Sequence, residues 1–437
     1  MGLDGNGPRR RVALVAVDMG LGHLRAAHAL APALATPVLE IDRPPLASPA
    51  EQRRWGQVRA FYETLSRSSQ LPVVGRPMRR LLEGITFIPQ LYGARDQSRA
   101  TLGTRMLEAL ARRGFGRGAL DYLHREDATL VTTFYAPAVI ADFLGYHRTV
   151  CVVTDSDINR VWVSRWPAHS TVHYCVPSER ALRRLRAFGV RPEFTHLTGF
   201  PLPPELMGGP DLAVLRANLA ARLVRLDRRG VFREQLREEI AHLLGALPTA
   251  EEGRPPLLTF AVGGAGAQLG IARSFLPSLR RPLEQRQLRL ALVAGVRRDV
   301  AARLEHWVRE AGLGALLGDG VEIVCEEDFP TYFGRFNALL ARTDILWTKP
   351  SELSFFAALG IPLVFSWPLG VHERVNRRWV LHRGAGFKQE SPGEAWEWLR
   401  EWLDDGTLAG AAWSGYQRLP KFGAARIAEV AERLMGD

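Results

Sequence analysis

The chain has 437 residues, 46% of them hydrophobic and 24% charged, with a formal net charge of +11. These are globular values on a length that suits two ordinary domains, each with a sizeable core, so a fibrous or disordered chain is excluded. The excess is mostly arginine spread along helices, without zinc-finger, basic-zipper or RNA-recognition patterns, which sets nucleic acid aside and leaves solvated helix faces, an anionic membrane surface or a phosphorylated substrate.

In chain order, Arg11 to Val17 is a short buried strand, not a signal-peptide core. The turn Asp18-Met19-Gly20-Leu21-Gly22-His23 follows, then a helix from Leu24 to Leu34. A glycine turn between strand and helix is a phosphate or close-approach geometry, although the spacing is not that of a dinucleotide fingerprint. Residues 44–106 interleave apolar side chains with arginines, a pattern read either as a helical excursion packed on the sheet or as an amphipathic surface for anionic lipid. Leu130 to Thr133 and Thr149 to Thr154 are further strands, the second ending in Asp155-Ser156-Asp157, and Val172 to Val176 is a fourth. Ser178-Glu179 opens a helix that ends near Phe188, before Gly189. An Asp-x-Asp after a strand can hold a divalent cation, but three residues are a weak motif.

The second half begins with a long arginine-rich helix over Asp211 to Leu247. Leu257 to Val262 is a strand, and Gly263-Gly264-Ala265-Gly266 is a second glycine turn. Leu288 to Ala294 and Val321 to Cys325 are strands, and so is Ala341 to Trp347, which stops at Lys349-Pro350 because proline cannot continue a ladder. Ser351 to Leu359 reads as a helix capped by Ser351, and Ile361 to Phe365 as the next buried strand. Another glycine turn, Gly370 to Glu373, precedes Asn376, and an amphipathic helical tail carries Trp396, Trp398, Trp402 and Trp413. Cys151, Cys175 and Cys325 lie in strand-like runs without metal-ligand spacing and read as reduced core residues. No apolar run reaches the roughly 18 residues of a spanning helix, so the chain is expected to be soluble or surface-bound.

Alternating strands and helices in two halves predict an α/β protein of two Rossmann-like domains facing across a cleft. The domains are expected at 1–205 and 206–437, with the last helix packing back on the first. At this point the chain resembles the GT-B glycosyltransferases. It is most similar to the branch of monogalactosyldiacylglycerol synthase, the diacylglycerol glucosyltransferases and the lipid-II-forming N-acetylglucosaminyltransferase. Five stretches carry the resemblance in the family's order: MGLGHLRAAHAL, VVTDSDINRVWVSRWPAHSTVHYCVPSERALRRLRAFGV, LTGFP, FAVGGAGAQ, and DILWTKPSELSFFAALGIPLVF followed by HERVN.

The resemblance implies an inverting, metal-independent transfer of a hexose from a nucleotide sugar, UDP-linked in most of the family, to a lipid or lipid-like acceptor. The nucleotide sugar is a substrate, and no cofactor is implied. His23 matches the family's acceptor-side base, with Gly20 and Gly22 beside it, and Asp155 matches the lipid branch's V-T-D. Donor contacts are expected from Gly263, Gly264, Ala265, Gly266, Lys349, Ser351, Glu352, Ser354, His372, Glu373 and Asn376. The family pattern G-x-x-T-x-x-E becomes Ser351, Ser354 and Ala357 here. Ala357 therefore offers a donor ribose no acceptor. That departure keeps two alternatives in view, a GT-B protein that binds a nucleotide sugar without transferring it, and a UDP-GlcNAc 2-epimerase-like enzyme. The expected location is cytoplasmic, with peripheral attachment to the inner membrane face as the sharper form.

Overall fold

A computed structural model describes residues 11–18, 20–57, 87–92, 96–248, 253–261 and 268–436. The chain forms two compact units, one of Met1–Pro201, Gly370–Val375 and Phe422–Asp437, the other of Leu202–Leu369 and Asn376–Lys421.

The first unit is built on a six-stranded parallel sheet. Its strands are β1 (Arg11–Ala16), β2 (Val38–Glu40), β3 (Ala128–Thr132), β4 (Thr149–Val152), β5 (His173–Val176) and β6 (Thr195–Leu197), in spatial order β2-β1-β3-β4-β5-β6. The apolar runs are buried on both faces, as parallel strands covered by helices must be. The order reverses direction once. The chain builds β2 on one side of β1, then returns to build β3 on the other, so a switch point lies between β1 and β3. Two buried arginines clamp an irregular arm onto this sheet. Arg184 donates to both oxygens of Asp157, at 2.9 and 3.0 Å, and to Gln97 Oε1 and the Pro89 carbonyl, at 2.7 and 2.6 Å. Arg160 donates to the Ser98 carbonyl at 2.7 Å. The final helix, Gly423–Gly436, belongs to this unit. Its first residue must be glycine, because a Cβ there would stand 2.2 Å from the Phe200 carbonyl oxygen.

The second unit repeats the plan with β7 (Leu257–Ala261), β8 (Arg289–Gly295), β9 (Val321–Cys325), β10 (Ile345–Thr348), β11 (Leu363–Phe365) and β12 (Gly386–Lys388), in the order β12-β11-β10-β7-β8-β9. Its switch point lies between β7 and β10. Trp347 fills the core beneath it, stacked on Phe275 at 4.9 Å with its Nε1–H donated to Gln389 Oε1 at 2.9 Å. Arg222 is buried, and burial lowers its pKa to about 10. Its guanidinium donates to the carbonyls of Thr343, Leu359 and Gly360, at 2.9, 2.9 and 3.1 Å, joining two strand approaches to one helix.

Two local expectations change. The long helix over 211–247 is broken into Ala213–Leu226, Val231–Gln235 and Arg237–Leu244. Gly230 at φ 76° and the buried Asp227, which accepts from the Arg233 backbone N–H at 2.9 Å, turn the chain between the first two. The strand expected from Ala341 begins only at Ile345, because Ala341 and Arg342 complete the helix Phe329–Arg342. Asp344 at that junction is fully buried, its carboxylate held by Arg225 and Arg254 at 2.7 and 2.6 Å. Of the amphipathic segment over 44–106, residues 58–86 and 93–95 lie outside the described residues.

Candidate functional site

In the first unit, β1 delivers the chain into Gly20, whose φ of 130° is open to glycine and strained for other residues. The helix Leu21–Leu30 starts there, with Gly22 and His23 in its first turn. His23 spans the switch point. Its Nδ1 lies 2.8 Å from the carbonyl oxygen of Thr133, just past β3. A carbonyl only accepts, so Nδ1 carries the proton and Nε2 the lone pair. Thr154 Oγ1 lies 3.1 Å from the same nitrogen. Thr133 closes the pair by donating its hydroxyl to the His23 carbonyl at 2.8 Å. The ring is also packed edge-on to Phe134 at 4.7 Å and tilted against Trp162 at 6.2 Å. An imidazole fixed in tautomer and orientation, with Nε2 as acceptor, is equipped to take a proton from a hydroxyl.

Asp155 follows Thr154 in the chain and is half-buried. Asp157 is committed elsewhere. Both its oxygens are taken by Arg184, and Oδ2 also accepts from Arg180 at 2.7 Å, which removes it from any Asp-x-Asp cation site.

In the second unit the strand ends converge on β10. Thr348 pairs with Ala261 of β7 and with Phe365 of β11. Its hydroxyl donates to the Ala261 carbonyl at 2.7 Å, and its own carbonyl accepts from the Ser366 backbone at 3.0 Å. Lys349 and Pro350 turn the chain into Glu352–Leu359, a helix of the tight, three-residue-per-turn kind. Ser351 precedes it in extended conformation, and its side chain makes no capping bond. At three residues per turn, Ser351, Ser354 and Ala357 fall on one ridge. Ser354 is fully buried and its hydroxyl has no hydrogen-bond partner among the described residues. Ala357 behind it is also fully buried, its carbonyl against Gly415, where an added Cβ would come within 2.3 Å. Glu352 starts the helix and is half-buried. Gly263, Gly264, Ala265 and Gly266 lie outside the described residues.

The helix Val371–Leu381 carries His372, Glu373 and Asn376 in its first turns. Gly370 leaves room for the His372 ring, since a Cβ there would stand 2.9 Å from its Cε1. Glu373 and Asn376 are buried, and Asn376 spends its amide N–H on the Pro350 carbonyl at 3.3 Å. Asn376 thus secures the turn before Ser351.

Sequence reasoning passed over Thr133 and Thr154 as partners of His23, and over Gln268, Ser366 and Trp367 after β7 and β11. The signal that would have found them is positional, because all stand just beyond strands at or beside a switch point.

No protein-family profile and no curated protein matches the chain in sequence. Solved structures match it in fold. The MnaA–UDP co-structure from S. aureus is similar with a TM-score of 0.50 and 10% identity, over 96% of this chain and 94% of that one. MurG from Acinetobacter baumannii gives 0.49 at 13% identity, over 97% and 99%. The glycosyltransferase SnogD from Streptomyces nogalater gives 0.44 at 17% identity, also over 97% and 99%. The likeness to MnaA, at 10% identity, speaks for architecture and nothing finer. The chain is an α/β protein of two Rossmann-like halves, each on its own parallel six-stranded sheet, the GT-B class of fold.

Proposed function

We propose that the protein is an inverting glycosyltransferase that moves a hexose from a UDP-linked sugar to a hydroxyl on a lipid-like acceptor, without a metal. The observation that carries this reading is the His23 ring, pinned through Nδ1 to the Thr133 carbonyl. Nε2 takes the proton of the acceptor hydroxyl as the oxygen attacks the sugar's anomeric carbon. The bond from that carbon to the diphosphate breaks on the opposite face, and UDP leaves with the electron pair. Backbone N–H groups at the start of Glu352–Leu359, with the Ser354 hydroxyl, are the groups assigned to the departing diphosphate. The choice of UDP draws support from the nucleotide held by the S. aureus neighbour.

A lipid acceptor and an anionic surface draw support from the clamped arm of the first unit. Tyr92, Leu102, Met106 and Trp166 are exposed there, amid Arg99, Arg105 and Arg165. Leu102 and Met106 share one face of the helix Leu102–Arg112. Arg165, over the Trp166 ring at 5.1 Å, reaches Glu108 of that helix at 3.6 Å. Such a surface fits the cytoplasmic face of a membrane.

The test is incubation with UDP-glucose, UDP-galactose and UDP-GlcNAc, each with diacylglycerol in phosphatidylglycerol vesicles. The expected outcome is a glycolipid of inverted anomeric configuration and stoichiometric UDP. Ala357 favours a second reading, binding without transfer, which tight donor binding with no product would establish. Conversion of UDP-GlcNAc to its 2-epimer without acceptor would replace both.

A further inference from the structure

β11 ends at Phe365, and the chain leaves the sheet through Ser366, Trp367 and Pro368. This short exit is held firmly. The Ser366 backbone N–H donates to the Thr348 carbonyl at 3.0 Å, and its hydroxyl donates to Gln268 Oε1 at 2.7 Å. The Gln268 Nε2–H in turn donates to the Trp367 carbonyl. Gln268 therefore spends both ends of its amide on this exit, and it does so from a backbone at φ 68°, which a residue with a side chain rarely adopts. Despite the clamp, the Trp367 side chain is left in water. The residue is 65% exposed, whereas Trp347 of the same unit is fully buried and Trp398 nearly so.

Holding the backbone while leaving the ring bare presents an aromatic face from a fixed point of the chain, which lowers the backbone entropy lost on binding. The ring's place limits what fits. It follows the strand next to β10, whose end leads to Ser351 and the buried Ser354 hydroxyl, which has no partner among the described residues. An indole face is apolar and electron-rich, so it repels a phosphate and suits the C–H-lined face of a pyranose ring.

We propose that Trp367 is the platform on which the donor's hexose ring lies, and that Gln268 is the positioning residue that sets it. The inference rests on the nucleotide-sugar reading above, and it makes Trp367 a residue that senses the sugar rather than the nucleotide.

Calorimetric titration of the full chain with UDP and with the preferred UDP-hexose, for wild type, Trp367→Ala and Trp367→Phe, tests it. The expected result is a loss of about tenfold in UDP-hexose affinity for Trp367→Ala, UDP affinity within about twofold of wild type, and partial recovery in Trp367→Phe. An unchanged thermal midpoint checks the fold, since the ring is exposed. Equal losses for both ligands, or none for UDP-hexose, overturn the inference alone. Failure of the wild-type protein to bind either ligand overturns the nucleotide-sugar reading and the inference with it.

Discussion

At the switch point of the first sheet the bridge across the strand ends is a titratable ring, His23 on the Thr133 carbonyl. At that of the second it is a hydroxyl, Thr348 on the Ala261 carbonyl. The same topology thus presents two chemistries. One strand end fixes a base in a single tautomer. The other fixes backbone and leaves a buried hydroxyl, Ser354, without a partner among the described residues. The difference teaches that a doubly wound sheet supplies only the place. What can happen there depends on which side chain bridges the strand ends.

The hardest blow to this contrast comes from His23→Ala. It should cut turnover by about 10²–10⁴-fold while donor affinity, read by calorimetry, stays near wild type. A parallel loss of donor binding would break the division of labour. Next in size is Asp157→Ala, which strands the buried Arg184 and frees the arm at Pro89 and Gln97. Urea unfolding should show a loss of about 3–5 kcal/mol, with hydrogen exchange rising first in residues 96–106 of the first unit.

Ser354→Ala tests the other side. An unpartnered buried hydroxyl costs about 1–3 kcal/mol of desolvation, so the ligand-free variant should equal or exceed wild type in urea midpoint. Its donor affinity should fall by about fivefold, the worth of one hydrogen bond of about 1 kcal/mol. A less stable variant with unchanged affinity would remove Ser354 from the donor site.

The smallest effects are in pH. In the first unit, burial and then Arg25 lower the pKa of His28 from 6.5, and burial and then Arg433 lower that of His196. Their neutral forms are favoured by the fold, so this stability is complete above pH 6.5 and is lost as pH falls through the lowered values. In the second unit, burial lowers Lys421 from 10.5 to about 8. The unfolded chain then binds the extra proton between those values, so stability rises with pH across that window. Burial raises Cys151 and Cys175 above 9, which works in the opposite sense at the alkaline end. Urea midpoints from about pH 5 to about pH 10 should therefore lose the acid slope in His28→Gln with His196→Gln. The difference between wild type and Lys421→Met isolates the alkaline term.

Much of the architecture was legible in the chain. The apolar runs that became β1, β4, β7 and β11 are local, and so are the glycine at 20 and the proline at 350 that bound them. The short strands β2, β6 and β12 were not anticipated, because each is three residues long and only partly buried, whereas β11, equally short, is apolar and buried throughout. The arginine-rich stretch over 211–247 looked continuous because its spacing is helical on both sides of Gly230. The break is fixed by Asp227, buried and bonded to Arg233.

The sequence by itself determined the strand–turn–helix grammar, the two-halved plan and the residue types at each turn, because these depend on neighbours a few positions apart. Only the tertiary structure decided which nitrogen of His23 carries the proton, since Thr133 and Thr154 come from 110 and 131 residues away. It also decided that Asn376 braces Pro350, that Asp157 is spent on arginines, and that Trp367 stands bare on a clamped loop. The reason is physical. Strand order, set by packing across the whole sheet, chooses hydrogen-bond partners, and no local pattern records that order.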